Sequence, residues 1–259
     1  MKKLSLSERM KTYYEDRSKI QLPRRTYFLI RMDGVGFSKY CKKLKRPYDE
    51  EFISDMNDTA VFLCSQIQGA KLAFVQSDEI SVLLTDFDDI TSQAWFDSDV
   101  QKITSISSSF ATSEFNRLRI KRFLDKSDIT GALNIKNAQF DSRFFSIPER
   151  EEVLNYFISR QKDCTRNSIS QASQAYFSHK ELNGVNSNQK QELLFSKGIN
   201  WNDYPTGQKR GRVIKKEAVD IGNGVIRNKW NVDNNIPIFT KDREYLYKVV
   251  PDYKYENEK

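Results

Sequence analysis

Thr26-Tyr27-Phe28-Leu29-Ile30-Arg31-Met32-Asp33-Gly34-Val35-Gly36-Phe37-Ser38 is the stretch that decides the fold. Thr26 to Ile30 is rich in β-branched and aromatic residues and leads into Asp33. Such a run, bounded by Asp, Gly and Ser, predicts a strand. Further on, Leu72-Ala73-Phe74-Val75 leads into Gln76-Ser77-Asp78-Glu79, and Ile80-Ser81-Val82-Leu83-Leu84 leads away, which predicts a hairpin over 71–85 with Asp78 at its tip. With the first strand beside that hairpin, Asp33 and Asp78 project from one end of one sheet. Two carboxylates held there form a divalent-metal site, and the glycines after Asp33 let a backbone turn approach a phosphate closely. Taken singly, Asp-Gly after a strand is ordinarily a turn, and Ser-Asp-Glu is an acceptable hairpin tip. The pair favours the functional reading, because a helix-sized segment between them can make the strands neighbours.

Composition narrows the chemistry. The 259 residues allow one large domain or two small ones. A mean hydropathy of -0.67 predicts a soluble protein, and no apolar run approaches the roughly 20 residues of a membrane span. Met1-Lys2-Lys3-Leu4-Ser5 lacks the apolar stretch of a signal peptide, so a cytoplasmic location is expected. Cys41, Cys64 and Cys164 have no paired spacing, which argues against a disulfide framework or a zinc site. His179 is the single histidine, so any metal must be held by oxygens, which suits Mg²⁺. A net charge of +7 suits a polyanionic partner such as RNA.

Around the two acidic stretches the chain reads as follows. Leu4, Leu6, Met10 and Tyr13 or Tyr14 predict an amphipathic N-terminal helix. Arg24-Arg25 before the first strand reads as a solvated approach to it. The basic loop Lys42-Lys43-Leu44-Lys45-Arg46 lies close enough in sequence to Asp33 to contact a nucleotide, although charge runs are usually solvated faces. Asp49 opens a helix whose buried face is Phe52, Met56, Ala60, Leu63 and Ile67. Asp86, Asp88 and Asp89 read as a solvated turn. Ser98-Asp99 caps another helix, and Lys102 near its start is placed to hold a phosphate. Residues 121–137 look irregular. Ala138 to Phe145 alternates as a fourth strand, completing the split βαββαβ, or ferredoxin-like, order. This α+β core with its N-terminal helix takes up residues 1–150. A helical and short-strand part over 151–259 is expected to pack on it. There Pro148 starts a helix toward Arg160, a further helix extends to about Phe177, Ser178-His179-Lys180-Glu181 is a capping box opening a short helix, and 188–197 is one more. Gly211, Gly222 and Gly224 punctuate short strands at Arg212–Lys215 and Arg227–Val232. Lys209, Arg210 and Arg212 lie among aromatic residues there, a mixture that can bind RNA or be an ordinary strand surface.

Taken together, these motifs resemble those of the tRNA-His guanylyltransferase superfamily, in particular its guanylyltransferase-like branch. The resemblance rests on Arg31-Met32-Asp33-Gly34 with Phe37, Arg46-Pro47-Tyr48-Asp49 and Gln76-Ser77-Asp78-Glu79. It continues through Phe140-Asp141-Ser142-Arg143, Arg160-Gln161-Lys162-Asp163-Cys164, Lys209-Arg210-Gly211 and Trp230-Asn231-Val232-Asp233. It implies a polymerase palm with two Mg²⁺ ions held by Asp33, Asp78 and the backbone carbonyl of Gly34. It implies that Asp33, Gly34, Val35, Gly36, Phe37 and Ser38 wrap a nucleoside triphosphate, with Ser77 beside it. Arg46 and Asp49 then match purine contacts and Lys102 a triphosphate contact. Arg160, Arg166, Asn167, Lys209, Arg210 and Arg212 become the expected tRNA contacts.

The implied activity is templated 3′-to-5′ nucleotide addition to a tRNA 5′ end, with ATP and GTP or another triphosphate as substrates and a homotetramer by analogy. Thr165-Arg166-Asn167-Ser168 stands where the guanylyltransferase branch carries His-Ile-Asn-Asn, and Ser38 where it often has His. Both departures favour 5′-end repair of tRNAs in general over addition of one guanylate to tRNA-His. A nucleotide cyclase is disfavoured by the missing Gly-Gly-Asp/Glu-Glu/Asp-Phe signature. A silent RNA-binding module is disfavoured by the intact Asp33/Asp78 pair.

Overall fold

Among the described residues six antiparallel strands form one sheet: β1 (Tyr27–Gly34), β2 (Ala70–Gln76), β3 (Glu79–Thr85), β4 (Phe140–Ile147), β5 (Arg212–Asp220) and β6 (Ile226–Asp233), in the order β4-β1-β3-β2-β5-β6. The structure is a computed structural model and describes residues 4–220, 222 and 225–253. The Met1–Lys3 start and Gly224, both read above, lie outside the described residues. Among the described residues nine α-helices accompany the strands: α1 (Leu6–Met10), α2 (Phe37–Tyr40), α3 (Glu50–Gln66), α4 (Val100–Asp125), α5 (Ile129–Asn134), α6 (Arg150–Gln174), α7 (Ser187–Ser196), α8 (Thr206–Arg210) and α9 (Glu244–Val249).

Strand alternation sorts the core onto two faces. Phe28, Ile30, Met32, Ile80 and Val82 pack with Phe52, Met56 and Leu63 of α3 and Ile103 and Phe115 of α4. Tyr27, Leu29, Phe74 and Leu83 pack with Val153, Leu154 and Phe157 of α6 and with Phe239 and Leu246. A fully buried side chain of this size contributes about 1.5–3 kcal/mol, so both helical layers are strongly held. By contrast Leu4, Leu6, Met10, Tyr13 and Tyr14 are all exposed, and the expected amphipathic N-terminal helix buries no face. No helix among the described residues is long and apolar enough to cross a membrane.

Several expectations change. The supposed irregular stretch 121–137 holds the end of α4 and the short α5, which is capped by Asp128 accepting from the Gly131 amide at 2.7 Å. The two helices expected around residue 160 are one, because Gln161, Cys164, Ser168 and Ile169 continue the buried stripe of Val153 and Phe157. Ser178 and Glu181 exchange their capping-box hydrogen bonds, yet turns rather than a helix follow. Asp86 is buried rather than solvated, and it accepts from Arg24 Nε at 3.1 Å and the Arg25 amide at 2.8 Å. Arg24 and Arg25 are therefore clamps on that loop. The C-terminal strands are longer than expected and join the main sheet through β5 pairing with β2, so the sheet draws on both sides of residue 150.

Candidate active site

β1 carries Asp33 to the end of the sheet, directly across from Glu79 on β3 and Asp141 on β4. Asp78 occupies the two-residue turn between β2 and β3, after Ser77 at φ 45°. Burial pushes the Asp78 carboxyl up, and the charges of Asp33 and Glu79 push it further, against hydrogen bonds from Ser77 and its own backbone amide. Beyond Asp33 the chain turns through Gly36 at φ +68°, a left-handed conformation that suits glycine, into α2. Phe37, the first residue of α2, is buried among Tyr40, Phe52, Phe115 and Phe140, with ring centroids 4.9–6.1 Å away.

A cavity of about 420 Å³ opens between α2, the loop to α3, the Ser77-Asp78 turn and the C-terminal half of α6. Phe37, Ser38, Arg46, Asp49, Ser77 and Asp78 line it, and Lys42 and Lys45 add positive charge. Six residues expected to meet a nucleotide, drawn from three separate motifs, are thus brought together. Asp33, Gly34, Val35 and Gly36 are not part of the lining. Asp49 has an architectural task as well: its two carboxylate oxygens accept from the Phe52 amide at 2.8 Å, capping α3, and from the Lys45 amide at 3.0 Å.

Lys102 is not brought to the cavity. β3 runs away from Asp78, the following loop crosses the opposite end of the sheet, and α4 begins there, where Val100 N bonds Ile20 O. Lys102 lies in that first turn with its ammonium 4.6 Å from the Phe96 ring centroid. The end of α4 nearest the site carries Arg119 instead, roughly 25 Å further along the helix axis. Arg119 binds buried Asp55 at 2.8 Å and hydrogen-bonds Tyr40, which stacks on Phe37. Sequence reading missed this brace because its members are far apart in the chain. It also missed Gln171 and Gln174 in the cavity wall, since it broke α6 before them.

The six expected tRNA contacts are placed very differently. Arg166 and Asn167 are exposed on α6, Arg166 with one bond of 2.7 Å to Asp163. Arg160 is half-buried and bound to Glu79 and Asp163. Arg210 is half-buried. Lys209 and Arg212 are buried, which removes them from the surface this reading requires. Lys209 bonds the Asn202 carbonyl over the Trp201 ring. Arg212 bonds Asn57 Oδ1 at 2.8 Å and the Gly207 carbonyl at 3.0 Å. Burial lowers its pKa to about 10.

Among the described residues no group of three or more His, Cys, Asp or Glu side chains is disposed to hold a metal. The donor set at Asp33 and Asp78 nonetheless fits Mg²⁺, which is commonly held by one or two carboxylates plus substrate phosphates and water. The like charges that raise the Asp78 carboxyl are what a bound cation relieves.

The chain is similar to known proteins over most of its length. A family model described as tRNAHis guanylyltransferase matches residues 7–148. The tRNA(His) guanylyltransferase of Saccharomyces cerevisiae is 31% identical over 207 residues, covering 74% of this chain and 83% of that protein. The structure of a bacterial tRNA(His) guanylyltransferase-like protein in complex with ATP is similar with a TM-score of 0.84 at 41% identity, covering 95% of this chain and 99% of the other. A bacterial guanylyltransferase-like protein in complex with GTP gives 0.79 at 39% identity, covering 95% and 98%.

Proposed function

The chain belongs to the tRNAHis guanylyltransferase family, whose members are nucleotidyltransferases, and from that membership we propose that it adds nucleotides in the 3′-to-5′ direction to tRNAs with incomplete 5′ ends. The observation that carries the reading is the convergence of Phe37, Ser38, Arg46, Asp49, Ser77 and Asp78 on one cavity beside Asp33. We read strands β4-β1-β3-β2, with α3 and α4 on one face, as a ferredoxin-like polymerase palm.

Asp33 and Asp78, with the Gly34 carbonyl, would hold Mg²⁺. When bound, the ions lower the pKa of the attacking hydroxyl and neutralise charge on the leaving phosphate. The protein's own task is to position and screen. The Gly34–Ser38 turn faces the triphosphate with backbone, Arg46 and Asp49 address the base, and Lys42 and Lys45 screen the phosphates. A tRNA 5′-monophosphate first attacks the α-phosphorus of ATP, releasing pyrophosphate and leaving an adenylylated end. The 3′-hydroxyl of the incoming nucleoside triphosphate then attacks that 5′ phosphorus, loses its proton and displaces AMP. A 5′-triphosphate end skips the first step and releases pyrophosphate. The opposite strand of the acceptor stem selects the base by pairing. Exposed Arg166 offers a 5′-phosphate contact blind to sequence.

Guanylate addition to tRNA-His is the second reading, favoured by the match to the yeast enzyme. Rates on several tRNAs lacking their first nucleotide, compared with intact tRNA-His, separate the two. Extension of the truncated tRNAs irrespective of identity supports repair; extension of intact tRNA-His alone replaces it with guanylate addition. The proposal includes a homotetramer, tested by light scattering for a mass near four times 30.3 kDa.

A further inference from the structure

Asp33 has an acidic neighbour that the proposed cation set does not use. Glu79 lies directly across from it in the β1–β3 ladder. Directly opposed antiparallel residues share a face with Cβ atoms about 4.5–5.5 Å apart, so the Glu79 carboxylate has the reach to join Asp33 and Asp78. It is bound elsewhere. One oxygen accepts from Arg160 Nη1 at 3.2 Å, and the other accepts from the Ser81 hydroxyl at 3.3 Å. Arg160 is itself fixed: its Nη2 donates to Asp163 at 2.5 Å, and its guanidinium lies 5.9 Å from the Tyr156 ring centroid. Tyr156 in turn shares a 2.9 Å hydrogen bond with Ser81. Glu79 and Arg160 are both mostly withdrawn from water, at 13% and 16% side-chain exposure, so their attraction is only weakly screened. Asp141, across from Asp33 on the other side, is exposed and screened by water.

We propose that Arg160 is a positioning residue that holds the Glu79 carboxylate out of the cation set of Asp33 and Asp78. The assignment rests on reading those two aspartates as the cation ligands. Its consequence is chemical. Three free carboxylates would bind a hard divalent cation strongly in the empty protein, whereas two leave coordination positions to be filled by substrate phosphates. The cation then arrives with the nucleotide instead of residing at the sheet end. A plain tether between α6 and β3 would use the same ion pair, and its loss would change cation affinity only through space, an effect that high salt screens, whereas a third carboxylate ligand persists at high salt.

Mn²⁺ alone, titrated into the full chain at low and at high salt and followed by the loss of the free-ion electron paramagnetic resonance signal, separates these accounts. Arg160→Gln is expected to tighten Mn²⁺ binding by about tenfold at both salt concentrations, the effect of adding one carboxylate ligand. Glu79→Gln, which leaves the Arg160 charge unpaired, is expected to weaken binding at low salt only and by less than Asp33→Asn does, and the double variant to return the affinity to the parent's level. Arg160→Met, which keeps the bulk of the side chain without its charge, is expected to tighten binding likewise and covers the case in which the glutamine variant fails to fold, while Arg160→Lys, which keeps the charge, is expected to stay near the parent. Unchanged or weaker binding in folded Arg160→Gln or Arg160→Met overturns the proposal, as does a tightening that high salt removes or a Glu79→Gln loss matching that of Asp33→Asn. If Asp33→Asn and Asp78→Asn do not change Mn²⁺ binding at all, the cation reading itself fails, and the two failures are distinguishable.

Discussion

The ring of Phe37 fills the place where a side chain on Gly34 would begin: a Cβ built there lies 2.3 Å from Phe37 Cδ2. Phe37 is wedged among Tyr40, Phe52, Phe115 and Phe140, so its ring can yield only by straining that cluster or by intruding on the cavity it lines. Gly34→Ala is therefore expected to destabilise the fold by about 1–3 kcal/mol through overpacking, and to move the turn that faces the triphosphate. Urea denaturation checks the first effect. A raised KM for the incoming nucleotide checks the second.

Burial penalises the charged Asp78 carboxylate, and the nearby Asp33 charge adds to that cost. For an acid whose folded pKa is raised, the charged form opposes folding at neutral pH. Asp33→Asn and Asp78→Asn should each abolish nucleotide addition, while Asp78→Asn leaves the thermal midpoint unchanged or slightly higher. Activity near the parent's in Mg²⁺, or a large drop in the midpoint for Asp78→Asn, contradicts this account.

Which parts of the molecule were legible in the sequence follows from which signals are local. Strands β1 to β4, the hairpin and α3 were readable because alternation, periodicity and caps such as Asp49 are short-range. α6 was split in two because its polar buried residues, Gln161, Ser168 and Ser173, interrupt the apolar stripe while still facing the core. The cavity lining was partly readable because its motifs end strands or open helices. Lys102 was misplaced because a helix after a hairpin was not followed to the end of the sheet at which it starts. Arg212 was read as surface because its charge outweighed its setting between buried Gly211 and Val213.

Arg210 and Arg212 should therefore separate two effects. Arg212→Ala strands the Asn57 and Gly207 acceptors and opens space, and is expected to cost about 2–4 kcal/mol of stability. Arg210→Ala is expected to leave stability nearly unchanged, weaken tRNA affinity and flatten its dependence on salt. Thermal melts and filter binding at several salt concentrations measure both. An unchanged salt slope in Arg210→Ala removes this segment from the tRNA surface.

Asp49 joins the fold to the cavity in a way that kinetics can resolve. One carboxylate oxygen caps α3 through the Phe52 amide, and the other holds the Lys45 amide of the basic loop. Asp49→Ala loses both, costing about 1 kcal/mol for the cap. It also frees the loop carrying Lys45, Arg46 and Pro47, all of which line the cavity. Asp49→Asn keeps one acceptor oxygen, sufficient for the cap, but replaces the other with a donor that faces the Lys45 amide. The alanine variant should lose stability and nucleotide affinity together. The asparagine variant should keep most of its stability yet raise the KM for the incoming nucleotide, with kcat changing less because Asp33 and Asp78 are untouched. Equal KM values for parent and Asp49→Asn would mean that the loop is held by its remaining contacts, such as the 2.7 Å bond from Gln171 Nε2 to the Pro47 carbonyl.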